Sequence, residues 1–265
     1  MTAIGKAAAI TGERLQKALA QLGLGSRREV EAWIRAGRLT VNGQPASLGM
    51  RVTPKDHVRL DGRLVQQRPA AAARVKSQVQ LCHRSPGVDL AEITRALPRR
   101  AGRRFIAVSP MPRVDGGLEL VTADGAAALT LQRGVRQLEC EFSVRVHGEL
   151  SPALLARVQE GVLDSGAQVA VLSLTAAGGE GSNRWYTLVA RGASGKEVRQ
   201  LFERVGVLVS RVLRTRLGGV TLDRALPRGR SRVLTEEEST ALLAAAQAEG
   251  ADAAAEQAQQ RHPTE

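Results

Sequence analysis

The sequence predicts an α+β protein in which a small N-terminal module precedes a larger body. Its 265 residues, 43% of them hydrophobic, suffice for one large domain and one small one. From Gln137 to His147 apolar and polar residues alternate strictly, which is typical of a strand with one buried face. Glu197 to Val205 instead repeats apolar residues at helical spacing. Because strands and helices follow one another without regular β-α-β alternation, we expect the body to be a mixed, mainly antiparallel sheet flanked by helices.

The N-terminal module begins with two predicted helices. Leu15, Leu19 and Leu22 recur at helical spacing and define the buried face of the first helix. Ser26 and Glu29 form a capping box, in which each side chain binds a free backbone N–H at a helix start. The second helix therefore begins at Ser26. Its predicted buried residues are Val30, Trp33 and Ile34.

A short hairpin is predicted after these helices. The second helix should end near Gly37, and Leu39 to Val41 then forms a strand. Asn42-Gly43 follows this strand and is the strongest short-range signal for a hairpin, because both residues tolerate positive φ. The module thus consists of two helices and short strands.

Arg27 and Arg28 lie in the first turn of the second helix, where a cation is unfavourable. A helix N-terminus carries partial positive charge, so each arginine there loses roughly a few tenths of a kcal/mol. A phosphate at the helix start would be held by free backbone N–H groups and by both guanidinium groups. The alternative is that both arginines are simply solvated surface charges.

Four motifs of the module resemble the S-four RNA-binding domain, in the order and with the spacing of that family. They are Glu13-Arg-Leu-Gln-Lys-Ala-Leu-Ala, Gly25-Ser-Arg-Arg-Glu, Ala36-Gly-Arg-Leu and Val41-Asn-Gly. The resemblance covers residues 13 to 67 and implies that the module binds RNA. The residues that it implies as RNA contacts are Arg14, Lys17, Ser26, Arg27, Arg28 and Arg38.

Changes in composition indicate where the segments of the chain begin and end. Residues 1–12 are small and polar, and we expect a disordered leader there. Pro69 to Ala73 is typical of a linker, which we place at residues 68–77, between the module at 13–67 and the body at 78–235. Residues 236–265 are acidic and then rich in Ala and Gln, so we expect a loose helix followed by disorder.

Two further strands and the helix of the body can be placed from their residue patterns. Trp185 to Val189 is one strand, and Val207 to Leu217 is another that carries Arg211, Arg214 and Arg216. The predicted buried residues of the helix are Val198, Leu201, Phe202 and Val205.

Arg104 to Gly125 resembles the active-site segment of the type B bacterial pseudouridine synthases that act on RNA of the large ribosomal subunit. In that family an apolar strand runs into Gly-Arg-Leu-Asp, followed by a loop, Gly-Leu-Leu-Leu and a Thr-x-Asp-Gly turn. Here Ile106 to Val108 match the strand and Gly117 to Gly125 match the end. The resemblance continues through Gly178-Gly-Glu-Gly-Ser-Asn-Arg-Trp-Tyr, Glu197-Val-Arg, Val205-Gly, Ser210-Arg, Arg214-Thr-Arg and Leu226-Pro-Arg-Gly. It implies the pseudouridine synthase fold and isomerisation of a flipped-out uridine in structured ribosomal RNA, without metal or cofactor.

The chain departs from this family in the loop that carries catalysis. Ser109-Pro-Met-Pro112 stands where the family has Gly-Arg-Leu-Asp, so the catalytic aspartate position falls on Pro112. Proline has no carboxylate and cannot act as a nucleophile. The family's Lys-Pro-x-Gly loop is also missing after Ser77, and Leu81-Cys-His-Arg-Ser-Pro-Gly is its nearest match.

Two other catalytic positions of the family are changed. Phe142 stands where a tyrosine packs on the target base, which keeps the aromatic face and loses the hydroxyl. Ala193-Ser-Gly-Lys196 replaces Gly-Arg-Asn-Arg. Lys196 and Arg199 remain as basic residues able to orient a carboxylate.

Two functions of different classes follow from these departures. The first is a ribosomal-RNA-binding protein on the synthase scaffold, with reduced or lost catalysis. The second is an active synthase in which Asp115 of Arg113-Val-Asp115, three residues late, replaces the lost aspartate. A slip of three residues along an extended chain would move the carboxylate by several ångströms, and misplacement by about 1 Å can lower the rate by about two orders of magnitude. Asp115 also has the type and position of a turn residue before Gly116-Gly117, which is the structural alternative.

The charge of the chain favours a polyanionic partner. Thirty-eight Lys and Arg against 26 Asp and Glu give a net charge of +12. No apolar run long enough to span a bilayer is visible, so we expect a cytoplasmic, monomeric protein that binds structured ribosomal RNA, with ribosomal particles as further partners. Cys82 and Cys140 lack the spacing of a metal site and are expected to be structural thiols; we expect no metal and no cofactor.

Overall fold

The structure is a computed structural model that describes residues 12–22, 24–65, 78–97 and 105–247. It divides into two compact units, one formed by the described residues up to 65 and the other by those from 78 onward. The leader up to residue 11, the linker at 68–77 and the tail beyond residue 247 lie outside the described residues.

The N-terminal unit contains two helices and two small sheets. In chain order its elements are β1 (Glu13–Arg14), α1 (Leu15–Gln21), α2 (Arg27–Arg35), β2 (Leu39–Val41), β3 (Gln44–Pro45), β4 (Arg51–Val52), β5 (Val58–Leu60) and β6 (Arg63–Leu64). One sheet has the antiparallel order β3-β2-β5-β6, and β1 pairs with β4 in the other. The shared core includes Leu15, Leu19, Val30, Ile34, Leu39, Val52 and Val58.

The local signals of the N-terminal unit act as predicted. Ser26 is the N-cap of α2, its hydroxyl accepts from the Glu29 N–H, and the Glu29 carboxylate accepts from the Ser26 N–H. Asn42 and Gly43 adopt φ of 52° and 84°, as a tight hairpin turn between β2 and β3 requires. Trp33 is only partly buried, because it lies at the edge of the core.

The body is built on a nine-stranded sheet. Its elements are β7 (Val79–Arg84), α3 (Leu90–Ala96), β8 (Ile106–Val108), β9 (Gly116–Thr122), α4 (Gly125–Gly134), β10 (Glu139–His147), α5 (Pro152–Gln159), β11 (Ala170–Glu180), β12 (Asn183–Arg191), α6 (Gly195–Glu203), β13 (Val209–Leu217), β14 (Val220–Thr221) and β15 (Ser231–Val233). The strand order is β11-β12-β10-β13-β9-β7-β15, with β14 on β13 and β8 on β9. β13 and β9 run parallel, and the other neighbouring strands named here are antiparallel. The predicted α+β class with a mixed, mainly antiparallel sheet is confirmed.

The predicted elements of the body lie where expected, with small shifts at their ends. The alternating strand begins at Glu139 rather than Gln137, and the arginine-bearing strand begins at Val209. Helix α6 begins at Gly195, two residues early, because the Ser194 hydroxyl caps it and Glu197 closes a second capping box. On the buried face of β10, Cys140, Phe142, Val144 and Val146 have at most 1% of their surface exposed.

Residues 236–247 correct the expectation of a loose C-terminal helix. They are helical, and Leu242 and Ala246 are buried in the core of the body. Gly134 lies so close that a methyl group on it would overlap the backbone of Ala246. The apolar pair at i and i+4 gives this segment a buried face, so the body extends at least to residue 247. Among the helices described, none is long and apolar enough to cross a membrane.

Candidate active site and nucleic-acid interface

The loop Ser109–Asp115, which we call the substituted loop, connects β8 to β9 and contains the position of the missing aspartate. Ser109 adopts a φ of 50°, in the left-handed region that favours glycine. The Asp115 N–H donates to the Pro112 carbonyl at 3.0 Å and closes a turn. The turn role proposed for Asp115 from its type therefore matches the geometry.

Pro112 is the part of this loop that lies at the start of α6. It is partly exposed, and a methyl group added to Gly195 would fall 3.0 Å from the Pro112 Cδ. Met111 lies against the same glycine and is buried. The position where the family places its aspartate is thus accessible from outside, and its side chain carries no functional group.

Asp115 is buried, and both oxygens of its carboxylate accept hydrogen bonds. Its side chain is 0% exposed, and the Arg199 guanidinium donates from Nη2 to Oδ1 at 2.5 Å and from Nε to Oδ2 at 3.3 Å. Oδ1 also accepts from the Val212 N–H at 2.9 Å. Burial lowers the pKa of Arg199, but the contacts with Asp115 and Glu203 together outweigh burial, so the net direction is upward. Both carboxylate oxygens have charged or polar donors and no contact with solvent.

Of the other three catalytic candidates, Arg199 contacts Asp115, whereas Lys196 and Phe142 do not. Arg199 reaches it from α6, whereas Lys196 is exposed and has no recorded contact with Asp115. Phe142 is 0% exposed and lies opposite Leu188 on β12 and Arg214 on β13. In this arrangement a base has no access to the face of the Phe142 ring.

A buried network of three charged side chains lies beneath the substituted loop, and the sequence reasoning missed it. Arg84 Nε donates to Glu119 Oε1 at 2.8 Å, and Arg214 Nη2 donates to Glu119 Oε2 at 3.2 Å. These three side chains are at most 1% exposed. Burial raises the pKa of Glu119 against the opposing effect of Arg214 and Arg84, and burial lowers the pKa of Arg214.

This network holds the backbone of the substituted loop through hydrogen bonds. Arg84 donates from Nη2 to the carbonyls of Met111 and Pro112 at 2.9 and 2.8 Å. Arg214 Nη1 donates to the Ser109 carbonyl at 2.9 Å, and the Met111 N–H donates to Glu119. The two donors of Arg84 Nη1 go to carbonyls of neighbouring residues, so all five N–H groups of this guanidinium are used.

A signal for this network was present in the sequence. Glu119 lies between Leu118 and Leu120 in a strand that is buried along its whole length, where the related synthases have Gly-Leu-Leu-Leu. Arg84 gives a weaker signal, because it ends a largely buried strand that also contains Gln80 and His83. A charged residue inside a continuous apolar strand must find a partner, because an unpaired buried charge is very unfavourable. Pairing Glu119 with a specific arginine needed the strand order, which the sequence does not contain.

The N-terminal unit exposes the two arginines that suggested a phosphate site. Arg27 and Arg28 are exposed in the first turn of α2, beside the capped Ser26. Arg14 is exposed at the start of α1, and the exposed Lys17 pairs with Glu13 at 2.6 Å.

Arg38 is less available for RNA binding than the other basic residues predicted to contact RNA. Its guanidinium binds the Asp61 carboxylate with two hydrogen bonds, at 2.9 and 2.5 Å, and lies 5.7 Å from the centre of the Trp33 ring. Within the described part of the chain, no group of three or more His, Cys, Asp or Glu side chains is arranged to hold a metal ion. Cys82 and Cys140 are buried free thiols, and burial raises the pKa of Cys82 to about 12.

Comparison with known families and structures agrees with this arrangement. The family model of the S4 domain matches residues 13–58, which confirms the S-four resemblance. A crystal structure of a pseudouridylate synthase aligns with 87% of this chain and 99% of its own, with a TM-score of 0.54 and 20% identity, which shows that the fold is shared. The chain thus combines an S4 domain with a body of pseudouridylate synthase fold.

Curated relatives identify the family more closely. Ribosomal large subunit pseudouridine synthase B of Shigella flexneri is 40% identical over 225 residues, 82% of this chain and 78% of the relative. The protein of the same name from Pseudomonas aeruginosa is 40% identical over 235 residues, 86% of this chain and 61% of the relative. The chain belongs to the ribosomal large subunit pseudouridine synthase B family.

Proposed function

We propose that this protein binds structured ribosomal RNA on the synthase scaffold and does not isomerise uridine. RNA binding is supported by the S4 domain, by the exposed Arg27 and Arg28 at a helix start and by the names of the relatives. The net charge of +12 acts in the same direction.

One observation carries the proposed loss of catalysis. The position that carries the aspartate in the family is partly exposed and holds Pro112, and the carboxylate three residues later, on Asp115, is 0% exposed with both oxygens bound. A nucleophile must present a free oxygen to the substrate within about 3–3.5 Å. Pro112 has no carboxylate to offer a substrate, and the carboxylate of Asp115 is buried.

A second function, an active synthase that uses Asp115, is favoured by the contact between Asp115 and Arg199. Arg199 holds the Asp115 carboxylate in place, and a carboxylate that is held in one orientation can act as a nucleophile. For this function the substituted loop would have to open when RNA binds. Isomerisation breaks the bond between uracil N1 and ribose C1′ and joins C1′ to C5; C5 loses its hydrogen as a proton and N1 gains one. Release of the C5 hydrogen therefore distinguishes the two functions.

RNA binding by the N-terminal unit is tested with the double variant Arg27→Ala/Arg28→Ala of the full chain. Because each lost phosphate contact lowers the slope of log K against log salt by about one, we expect a slope reduced by about two and weaker binding to a ribosomal RNA fragment. Filter binding at several salt concentrations measures both quantities.

The matched control is Arg35→Ala/Arg63→Ala, which removes the same charge from exposed positions of the same unit. It should leave the slope nearly unchanged. An equal effect of the two double variants would mean that general charge, rather than the start of α2, governs binding.

A further inference from the structure

Three residues form a row across adjacent strands on one face of the body's sheet. Arg211 on β13 lies opposite Arg145 on β10, and Arg145 lies opposite Trp185 on β12. All three are partly exposed, whereas Val144 next to Arg145 is fully buried. We call these three residues the Arg–Trp row. It lies on the sheet face opposite to the one that buries Phe142, since side chains alternate along β10.

The two arginines of the Arg–Trp row place like charges directly opposite each other. Like charges directly opposite each other in an antiparallel pair destabilise the sheet. In the described part of the chain, neither Arg145 nor Arg211 forms an ion pair with a carboxylate. Elsewhere in the same strands the cations are neutralised, because Arg191 and Arg216 each lie 3.6 Å from the Glu139 carboxylate.

We propose that the Arg–Trp row binds a single-stranded segment of RNA, with a base stacked on Trp185 and phosphates neutralised by Arg145 and Arg211. The proposal rests on the proposed function, because it adds a second contact surface for the same class of partner. Strands lie about 4.8 Å apart, so the three residues are immediate neighbours across the sheet. Aromatic rings flanked by cations are the usual platform for unpaired bases, since every base offers a π face.

RNA accounts for all three members of the row. An acidic peptide would neutralise Arg145 and Arg211 but would leave the exposed part of Trp185 unexplained. A nucleic-acid strand supplies a base and phosphates together, and its charge complements a chain of net charge +12.

The first experiment uses the fluorescence of Trp185. The chain has two tryptophans, so Trp33→Phe leaves Trp185 as the only one. We titrate this full-length variant with an oligouridylate of about twelve nucleotides, a length within the usual range for one single-strand site. Stacking predicts quenching that saturates with oligouridylate and is absent with polyglutamate. An unchanged spectrum, or equal quenching by both polymers, would overturn the proposal.

The second experiment separates the two arginines from general charge. Arg145→Ala/Arg211→Ala should weaken oligouridylate binding at least tenfold and lower the salt slope by about 1.4, at about 0.7 per single-strand phosphate contact. Arg191→Ala/Arg216→Ala removes the same charge from the paired cations and should change binding less than twofold. Equal effects of the two double variants would contradict the proposal. Trp185→Leu, which keeps every charge, should also weaken binding, and unimpaired binding would contradict stacking.

The design distinguishes failure of this inference from failure of the proposed function. If ribosomal RNA binding depends on Arg27 and Arg28 but Trp185 does not respond, the Arg–Trp row is excluded and the proposed function stands. If the unaltered protein does not bind ribosomal RNA at all, the proposed function fails as well.

Discussion

At the scale of single residues, the substituted loop keeps a backbone conformation while its side chains have changed. Ser109 has a φ of 50° where the related synthases have the glycine of Gly-Arg-Leu-Asp. The Arg214 guanidinium holds the Ser109 carbonyl, so the surrounding contacts enforce this conformation. A residue with a Cβ is strained there by roughly 1 kcal/mol.

Ser109→Gly should therefore stabilise the protein, against the usual effect of introducing glycine. We expect the free energy of unfolding to rise by up to about 1 kcal/mol, because glycine has no Cβ to strain. Urea denaturation measures the change. Ser143→Gly, in the regular strand β10, is the control and should lower the free energy of unfolding by about 0.5–1 kcal/mol. If Ser109→Gly lowered the free energy of unfolding, the backbone of Ser109 would not be strained.

Glu119 is the residue whose removal should disturb the body most. Glu119→Leu restores the leucine of the family motif but leaves Arg84 and Arg214 buried without a counter-charge. Removal of one partner from a buried ion pair lowers stability by about 3–5 kcal/mol. Thermal and urea unfolding measure the change.

The control for this change is Glu139→Leu, which removes a partly exposed partner of Arg191 and Arg216. Partly exposed ion pairs contribute only about 0–1 kcal/mol. If Glu119→Leu and Glu139→Leu had the same free energy of unfolding, the buried network around Glu119 would not stabilise the substituted loop.

At the scale of secondary structure elements, the helix of residues 236–247 is joined to the body by an ion pair as well as by Leu242. Arg232 donates two hydrogen bonds of 2.7 Å to the Glu238 carboxylate, which also accepts from the Thr235 N–H. The hydrogen bonds from Arg232 lower the pKa of Glu238 from 4.5 to about 2. Both side chains are about 30% exposed, so solvent screening limits the contribution.

Acid should weaken this attachment in a defined range of pH. A carboxyl group with a lowered pKa in the folded state stabilises it fully above the pKa of the unfolded state, here 4.5. That stability is lost as the pH falls through about 2. Glu238→Gln should therefore be less stable than the unaltered protein at pH 6, with a difference that shrinks between pH 5 and pH 2.

Urea denaturation at each pH measures this difference. Glu160→Gln, at an exposed position at the end of α5, is the control and should show no such convergence. A difference that is constant across the range would show that Glu238 does not contribute through its ionised form.

Elements set by local signals were predictable from the sequence, and those set by distant contacts were not. The capping box of Ser26 and Glu29 and the Asn42-Gly43 turn need only neighbouring residues, and both were placed correctly. The attachment of residues 236–247 depends on Gly134, about a hundred positions earlier, so an Ala-rich composition suggested a loose helix.

In the candidate site, too, local features could be predicted from the sequence and distant contacts could not. The sequence identified Pro112 and Asp115 as the decisive positions and named Arg199 as a possible partner of the carboxylate. It did not show that Asp115 is buried, nor that Arg84 and Arg214 meet at Glu119, because β7, β9 and β13 are brought together only by the sheet.

At the scale of the whole molecule, an S4 domain and a synthase body form one chain of net charge +12. The family relationship extends over most of the chain, so the scaffold has been kept while the loop at its centre has changed. The proposed function combines binding of ribosomal RNA with loss of catalysis, because in the described substituted loop Pro112 carries no nucleophile and the Asp115 carboxylate is buried.

The most direct test is tritium release from ribosomal RNA labelled at C5 of uridine, incubated with the full-length protein, with an active relative as positive control. We expect no release above background from a preparation that binds the same RNA. Release that is abolished by Asp115→Asn, in a variant that still binds RNA, would contradict this account and establish a synthase that uses Asp115.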